Sequence, residues 1–567
     1  MVREVLTFQL GHYANHVGTH WWNIQESSFN YDPLAEPSDI DHAVLYREGA
    51  TRQQQTTFTP RLLMVDLAGT LRHLPQTGDL YSDPPEPTSD SQHQDIPWDL
   101  AKLQTIYSHG GPCQPHPYQT DLRAAQAAAA TAAEEVPKEY DFAQTARGWV
   151  DYSYTRFHPR SINIIERYAY SPDECQFDTV PHGSLFWQDG DFRETLTDRT
   201  RQYVEECDQC QGFQLLFDCG DAFGGLATSL LEHLQDEYGK TSLVFPVFSP
   251  NPAMFKGADE ATSDSIRTIN TALTFAQLPE RCSLFAPLAT MEHCWRRMAT
   301  PRVFPHATYD PRNLYQTAAI LAAFLDTVTL QYRLRAVGGA TVGHLAGICS
   351  DLAEHGRRMV AASLALPFAM DASQDLIDCL DQNEGEQLMV PLSPAANVGT
   401  RGVVQSVCMR GIPENRLKRP PTAKGAQRQQ RMAGYRCGSV SEMLQLFFSC
   451  TLPVSMSHVT ASRTPLQVNQ PFPIEMFVPV DRFTHDGFLT QEHLGQPAGV
   501  VSVPTLAALQ SSTGVGDGLE TLHHEARRVR LARIPRFTEA GLEAGEFNEA
   551  LEHLLELKGK YDDGYEL

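Results

Sequence analysis

The sequence predicts an α/β fold whose parallel sheet is covered on both faces, and three observations lead there. Short apolar runs recur, among them Pro60-Arg-Leu-Leu-Met-Val-Asp-Leu67, Gly212-Phe-Gln-Leu-Leu-Phe217 and Leu243-Val-Phe-Pro-Val-Phe248. Helical patterns separate them, and strands buried on both faces need such near-continuous apolar sequence. Residues 317–328 are nearly all apolar, which marks a helix surrounded by protein on every side.

Taken in order, Val5 to Leu10 reads as the first strand. Gly11-His-Tyr-Ala-Asn-His-Val-Gly18 follows as a loop leading into a helix anchored by Trp21-Trp22. Residues 60–67 form the second strand, with Ala68-Gly69-Thr70 turning after it. Residues 82–96, rich in Pro, Ser and Asp, read as a loop, and the alanine-rich run 124–135 as a solvated helix or a spacer. His158-Pro-Arg160 is a strand-entry turn before Ser161-Ile-Asn-Ile-Ile165. After the strand at 212–217 comes Cys219-Gly-Asp-Ala-Phe-Gly-Gly225, then a helix with Leu226, Leu230, Leu231 and Leu234 on one face. Strand, glycine-bearing turn and helix N-terminus together aim free N–H groups at an anion. Here, however, Asp221 brings negative charge and Phe223 brings bulk.

From about residue 340 the pattern changes. Residues 359–367 and 403–410 read as strands of a second layer, 441–448 as a helix, and 539–557 as an acidic amphipathic helix with Phe547, Leu551, Leu554 and Leu555 on its apolar face. The chain past Gly559 reads as loose. Between the strand at 403–410 and the helix at 441–448, basic residues stand at 416, 418, 419, 424, 428, 431 and 436. That stretch reads first as a solvated loop and second as a docking site for an acidic partner.

The chain has 567 residues, enough for two or three domains. Its formal charge of −24 argues against DNA, RNA and anionic lipid as partners, which are bound by neutralising phosphate. No run of about 18 apolar residues reads as a membrane span, and the start reads as a strand rather than a signal peptide or presequence. The 12 cysteines lack metal-ligand pairing. Cys207-Asp-Gln-Cys210 is the one close pair. Alone it fits buried free thiols better than a redox or half-zinc motif, and the compartment reads as reducing. His523-His-Glu525 points apart on a helix and holds no metal.

Strings spread along the chain resemble the tubulins. Arg3-Glu-Val-Leu-Thr-Phe-Gln-Leu-Gly11 with Asn15 and Gly18 is similar to their opening strand and first nucleotide loop; Phe58-Thr-Pro-Arg61 and Val65-Asp-Leu67 are similar to their second strand. Glu206-Cys-Asp-x-x-Gln-Gly-Phe-Gln-Leu215 looks like the strand before their glycine-rich signature. Asn270-Thr-Ala-Leu with Gln277-Leu278 resembles the Asn that reads guanine and the helix after it. Val404-Gln-Ser-Val-Cys-Met-Arg-Gly411 and Phe537-Thr-x-x-Gly541 with Glu546-Phe-Asn-Glu-Ala550 extend the likeness to the end. Within that superfamily, Gly18-Thr-His-Trp-Trp-Asn23, His42-Ala-Val-Leu-Tyr-Arg-Glu-Gly49, His158-Pro-Arg-Ser-Ile162, Tyr203-Val-Glu-Glu-Cys-Asp208 and Leu325-Asp-Thr-Val-Thr329 resemble the Misato family.

The resemblance implies a tubulin-like chain. Residues 1–70 begin a Rossmann-like parallel-sheet domain, 71–157 are an insertion, 158–315 complete the domain, and 316–330 are the core helix. An α+β intermediate domain follows at 331–485 with its basic loop at 414–436, and 486–567 form a C-terminal helical region. It implies roles in mitochondrial distribution and morphology and in spindle microtubule assembly. It also implies binding to tubulin and the cytosolic chaperonin, in the cytoplasm and peripherally at the mitochondrial outer surface. The alternative is a GTP-binding or GTP-hydrolysing filament or filament-capping protein.

The departures from tubulin decide between these readings. Against the tubulin signature Gly-Gly-Gly-Thr-Gly-Ser-Gly stands Cys219-Gly-Asp-Ala-Phe-Gly-Gly225, in which the first and third glycines are lost, Ala222 replaces the threonine hydroxyl, and Phe223 stands where backbone must approach phosphate. An Asp a few ångströms from a triphosphate costs about 1–4 kcal/mol. His12 and Tyr13 replace the Gln and Cys of the first loop, and Ala68-Gly69 stands where tubulins place an acid. The run Leu334 to His344, in the position of the hydrolytic loop, has no carboxylate. No catalytic residue, metal ligand or cofactor is therefore expected. Gly11, Asn15, Asp66, Gly220, Gly224, Gly225 and Asn270 remain as vestigial candidates for holding GTP or GDP.

Overall fold

The computed structural model describes residues 3–29, 38–50, 56–78, 80, 113–128, 138–296, 299–335, 343–383, 387–396, 403–418, 432–451, 454–490 and 499–562. The loop expected at 82–96 lies outside them, as do residues 129–135 of the alanine run, 336–342 of the hydrolytic-loop position and 419–431 of the basic stretch.

Six strands make the first sheet: β1 (Val5–Leu10), β2 (Leu62–Ala68), β3 (Ile162–Ala169), β4 (Gly212–Asp218), β5 (Thr241–Val247) and β6 (Leu284–Phe285). They lie in the order β6-β5-β4-β1-β2-β3, and every pairing is parallel. On one face Leu6, Phe8, Leu10, Phe213 and Leu215 share a core with α4 (Phe223–Tyr238) and α5 (Glu260–Arg281). On the other, Leu62, Met64, Leu216 and Phe245 pack with α1 (His12–Ser27) and α6 (Leu314–Val328). Helices on both faces explain why these strands read as unbroken apolar runs rather than as alternating ones. Two further helices, α2 (Val180–Gln188) and α3 (Gly190–Glu205), lead from β3 to β4.

α1 starts at His12, so Gly11 alone is the turn and the loop expected through Gly18 is helix. Its side chains are buried from His12 to Gln25. The ring pair Trp21–Trp22, fully buried and 5.0 Å apart, anchors it as expected. Polar His and Asn residues in a first helical turn disguise a buried helix, because burial comes from neighbours the local sequence does not reveal.

α6 is covered throughout its length and leads through α7 (Leu345–Leu352) to a second sheet. That sheet contains β7 (Ala361–Ala365), β8 (Val390–Pro391), β9 (Val403–Arg410), β10 (Val454–Ser462) and β11 (Thr505–Ser511), in the order β8-β7-β11-β9-β10. α8 (Val440–Thr451) precedes β10. β11 departs from the helical region expected at 486–567: it is wholly buried and pairs antiparallel with both β7 and β9. Its Leu-Ala-Ala-Leu sequence favours helix, and burial between two strands overrides that preference.

Two long helices near the end, α9 (Val515–Arg528) and α10 (Ala544–Gly559), return to the first domain and pack against α5. Leu555 faces outward, unlike Phe547, Leu551 and Leu554. Nor is the chain loose directly after Gly559. Tyr561 is buried, its hydroxyl donating to the Met359 carbonyl at 2.6 Å and accepting from the Met359 N–H at 2.8 Å.

Candidate functional site

In an open α/β sheet, ligands bind beyond the carboxyl ends of the strands where the strand order reverses. Here the chain passes from β1 outward to β2 and β3, then returns to β4 on the other side of β1, so the crevice lies above β1 and β4. Gly11 and the turn 219–222 form its floor. A cavity of about 120 Å³ opens there, lined by His12, Tyr170, Asp218, Asp221, Phe248 and Arg267 among others. Sites for drug-sized ligands typically enclose about 300–1,000 Å³.

At the centre of the crevice is a residue the sequence reading passed over. Asp218, the last residue of β4, reaches across to the N-terminus of α1. Its Oδ2 accepts the Tyr13 N–H at 3.0 Å and its Oδ1 the Ala14 N–H at 2.8 Å. The positive end of a helix favours such a carboxylate, and these amides are the ones an external anion at this helix would use. Gly11 makes room with φ 109°, and a Cβ there would stand 2.5 Å from the Asp218 Cγ. Burial, and after it Asp221, raise the Asp218 carboxyl well above the usual range, while the two amides pull it down. The available signal was an acid at the carboxyl end of a switch-point strand. It fell between the apolar run and the glycine turn, and so belonged to neither pattern.

The other candidates are likewise committed to internal partners. Asp66 Oδ2 accepts the Asn15 amide at 3.1 Å and the Trp149 indole N–H at 2.9 Å, with the His12 Nδ1 at 3.4 Å. The Leu67 N–H donates to Asp66 Oδ1 at 2.8 Å. Trp149 comes from the insertion between β2 and β3, where no sequence pattern singled it out. Above them the Tyr170 ring lies over the His12 ring at 3.9 Å.

Asn270 sits within α5 rather than before a helix. Its amide donates to the carbonyls of Asp178 at 2.7 Å and Gly220 at 3.1 Å, and its Oδ1 accepts the Val180 N–H at 3.0 Å. It thereby ties the start of α2 to the turn after β4. Gly225 lets α2 approach α4, and Gly224 lets α5 approach it. A Cβ on Gly225 would be 1.9 Å from the Val180 carbonyl oxygen, and one on Gly224 would be 2.5 Å from the Thr274 Oγ1. Phe223 lines one wall of the cavity and is held there, buried against Phe177 with ring centroids 5.2 Å apart. Asp221 caps α4, its Oδ1 accepting the Phe223 N–H at 2.9 Å.

Elsewhere, Arg160 of the strand-entry turn holds Glu206 at 2.6 Å, and Glu525 accepts the Trp295 indole N–H and pairs with Arg296. Among the described residues, no group of three or more His, Cys, Asp or Glu is placed to hold a metal ion, and no helix is long and apolar enough to cross a membrane.

A parallel sheet with its crevice at the first helix, a buried core helix and a second mixed sheet define a tubulin-like protein, and the family model described as "Tubulin domain" matches residues 140–334. The chain belongs to the Misato family. The model described as "Misato Segment II tubulin-like domain" matches residues 3–124. Protein misato of Drosophila melanogaster is 42% identical, with 99% of each chain covered. Protein misato homolog 1 of Homo sapiens is 32% identical over 99% of this chain and 98% of its own. Protein dml1 of Aspergillus clavatus is 33% identical over 59% of this chain and 61% of its own.

Proposed function

We propose that this chain works as a non-enzymatic, tubulin-like binding protein, and that its crevice is a structural joint rather than a nucleotide site. The observation that carries this reading is the Asp218 carboxylate on the Tyr13 and Ala14 amides. A phosphate placed on those amides would first have to displace the Asp218 carboxyl. The other residues of the crevice do not fit a guanine nucleotide either. Asn15, Asp66 and Asn270 are spent on internal hydrogen bonds, and the cavity is small for such a ligand.

Membership of the Misato family supports a role in mitochondrial distribution and morphology and in mitotic spindle microtubule assembly. On this reading the chain acts by binding tubulin and the cytosolic chaperonin, in the cytoplasm and peripherally at the mitochondrial outer surface. The absence of a membrane-length helix among the described residues is compatible with peripheral attachment.

The test is nucleotide analysis of the purified protein, with GTP turnover followed in parallel. The natural protein should carry no stoichiometric guanine nucleotide and release no phosphate above background. Asp218→Ala, which strips both amides of their acceptor, should lower the unfolding free energy by about 1–3 kcal/mol in urea without opening a GTPase. Stoichiometric GDP or GTP in the natural protein would overturn the reading in favour of a nucleotide-binding subunit.

A further inference from the structure

Cys207 and Cys210 flank the turn that joins α3 to β4, and nothing in the crevice uses them. Both are half-buried, whereas seven of the 12 cysteines are fully buried. The two residues between them are pinned by one side chain. Glu4 Oε1 accepts the Asp208 N–H at 3.0 Å and Glu4 Oε2 the Gln209 N–H at 2.9 Å. Glu4 is itself buried and fixed at the entry to β1, so the turn is held tight from beneath. Each thiol rests on a carbonyl at its own end of the turn, Cys207 on Tyr203 at 3.2 Å and Cys210 on Gly212 at 3.8 Å. The two thiols are near enough within the turn that each perturbs the other's titration. A disulfide spanning two residues needs its sulfurs brought together by such a turn.

We propose that Cys207 and Cys210 form a reversible disulfide that closes the turn between α3 and β4, made by exchange with a small disulfide such as glutathione disulfide. The neighbouring Cys207 thiol, with Lys240 nearby, lowers the Cys210 pKa against the effect of burial, and the same neighbourhood together with burial raises Cys207. Cys210 is therefore the attacking thiol and Cys207 the resolving one. The Cys210 thiolate attacks one glutathione sulfur and displaces the first glutathione as thiolate, which takes up a proton. Cys207 then loses its proton, attacks the Cys210 sulfur and displaces the second glutathione. Two electrons pass from the cysteine pair to the glutathione disulfide, leaving one protein disulfide and two glutathione thiols.

Closure would stiffen a junction that already bonds two other elements. The Gln211 amide donates to the Arg3 carbonyl at 2.7 Å, and its Oε1 accepts the Leu345 N–H at the start of α7 at 3.1 Å. The turn thus touches the first strand and the helix leading to the second sheet.

The experiment equilibrates the folded full-length protein in glutathione buffers of increasing oxidised fraction, quenches in acid, alkylates free thiols and reads the peptides by mass. The peptide holding both cysteines should lose two hydrogens in one two-electron step. Cys207→Ser should instead accumulate glutathione on Cys210, and Cys210→Ser should leave Cys207 largely unmodified. A peptide that stays a dithiol while the exposed Cys113 and Cys450 react would overturn the proposal, as would glutathione on both cysteines without closure. Should a serine variant fail to fold, the titration of the natural protein decides alone.

Discussion

Asp221 stands in the turn at the floor of the crevice with its Oδ1 on the Phe223 amide, and burial lifts its carboxyl to about 7, helped by Asp178 and opposed by that amide. An ordinary aspartate titrates near 4. Between those two values the folded chain keeps a proton that the unfolded chain has lost, so stability falls as pH rises through the window. Asp221→Asn keeps the acceptor and removes the charge. It should raise Tm at pH 8 and leave it unchanged at pH 4. An equal difference at both pH values, read by circular dichroism melting, would show that the carboxyl titrates normally. Asp218 behaves differently, because its two oxygens hold two separate amides and an asparagine could satisfy only one of them. Its neighbours Asp221 and Gly220 attracted notice by their place in a recognisable turn. Asp218 had no local signature, since its partners lie more than 200 residues away in the chain.

The glycines of that turn acquire their meaning from helix packing. α2 crosses α4 so closely that Gly183 and Gly225 interlock: a Cβ on Gly183 would be 1.9 Å from the Ala222 carbonyl oxygen, mirroring Gly225 against Val180. Gly220 has only the Arg267 side chain nearby, at 3.7 Å. Gly225→Ala should therefore cost about 1–3 kcal/mol as the helices are forced apart, with Gly220→Ala close to neutral. The measurement is the urea midpoint at unchanged m-value, and equal effects of the two substitutions would rule out the packing explanation. Among the elements, β4 and its following helix were legible because an apolar run, a glycine turn and a 3.6-residue period are all local signals. The start of α1 was not, because its burial and its capping carboxylate are supplied from elsewhere.

At the scale of the molecule, one buried ion cluster links the core helix to the second sheet. Asp326 of α6 bonds the Arg333 guanidinium at 2.9 Å through Oδ1 and the Arg410 guanidinium of β9 through Oδ2. Burial alone would raise the Asp326 carboxyl, but the two arginines bring it below its usual value. The stability this adds is present above the unfolded aspartate's pKa and is lost as pH falls below it. Asp326→Ala leaves two arginine charges buried without their shared partner and should cost about 3–5 kcal/mol. Chemical denaturation should then show the transition shifted to lower urea, and an unchanged midpoint would mean the arginines find other partners. By itself the sequence determined the α/β class, the buried core helix, the placement of β1, β2, β4 and β5, and the Misato likeness, because all of these are carried by periodicity or by contiguous strings. Only the tertiary structure decided that β11 lies at the centre of the second sheet, that Tyr561 ties down the end of the described chain, and that the anion position at α1 is held by Asp218. Each of these depends on groups distant in sequence meeting in space, where burial and hydrogen-bond satisfaction outweigh local preference.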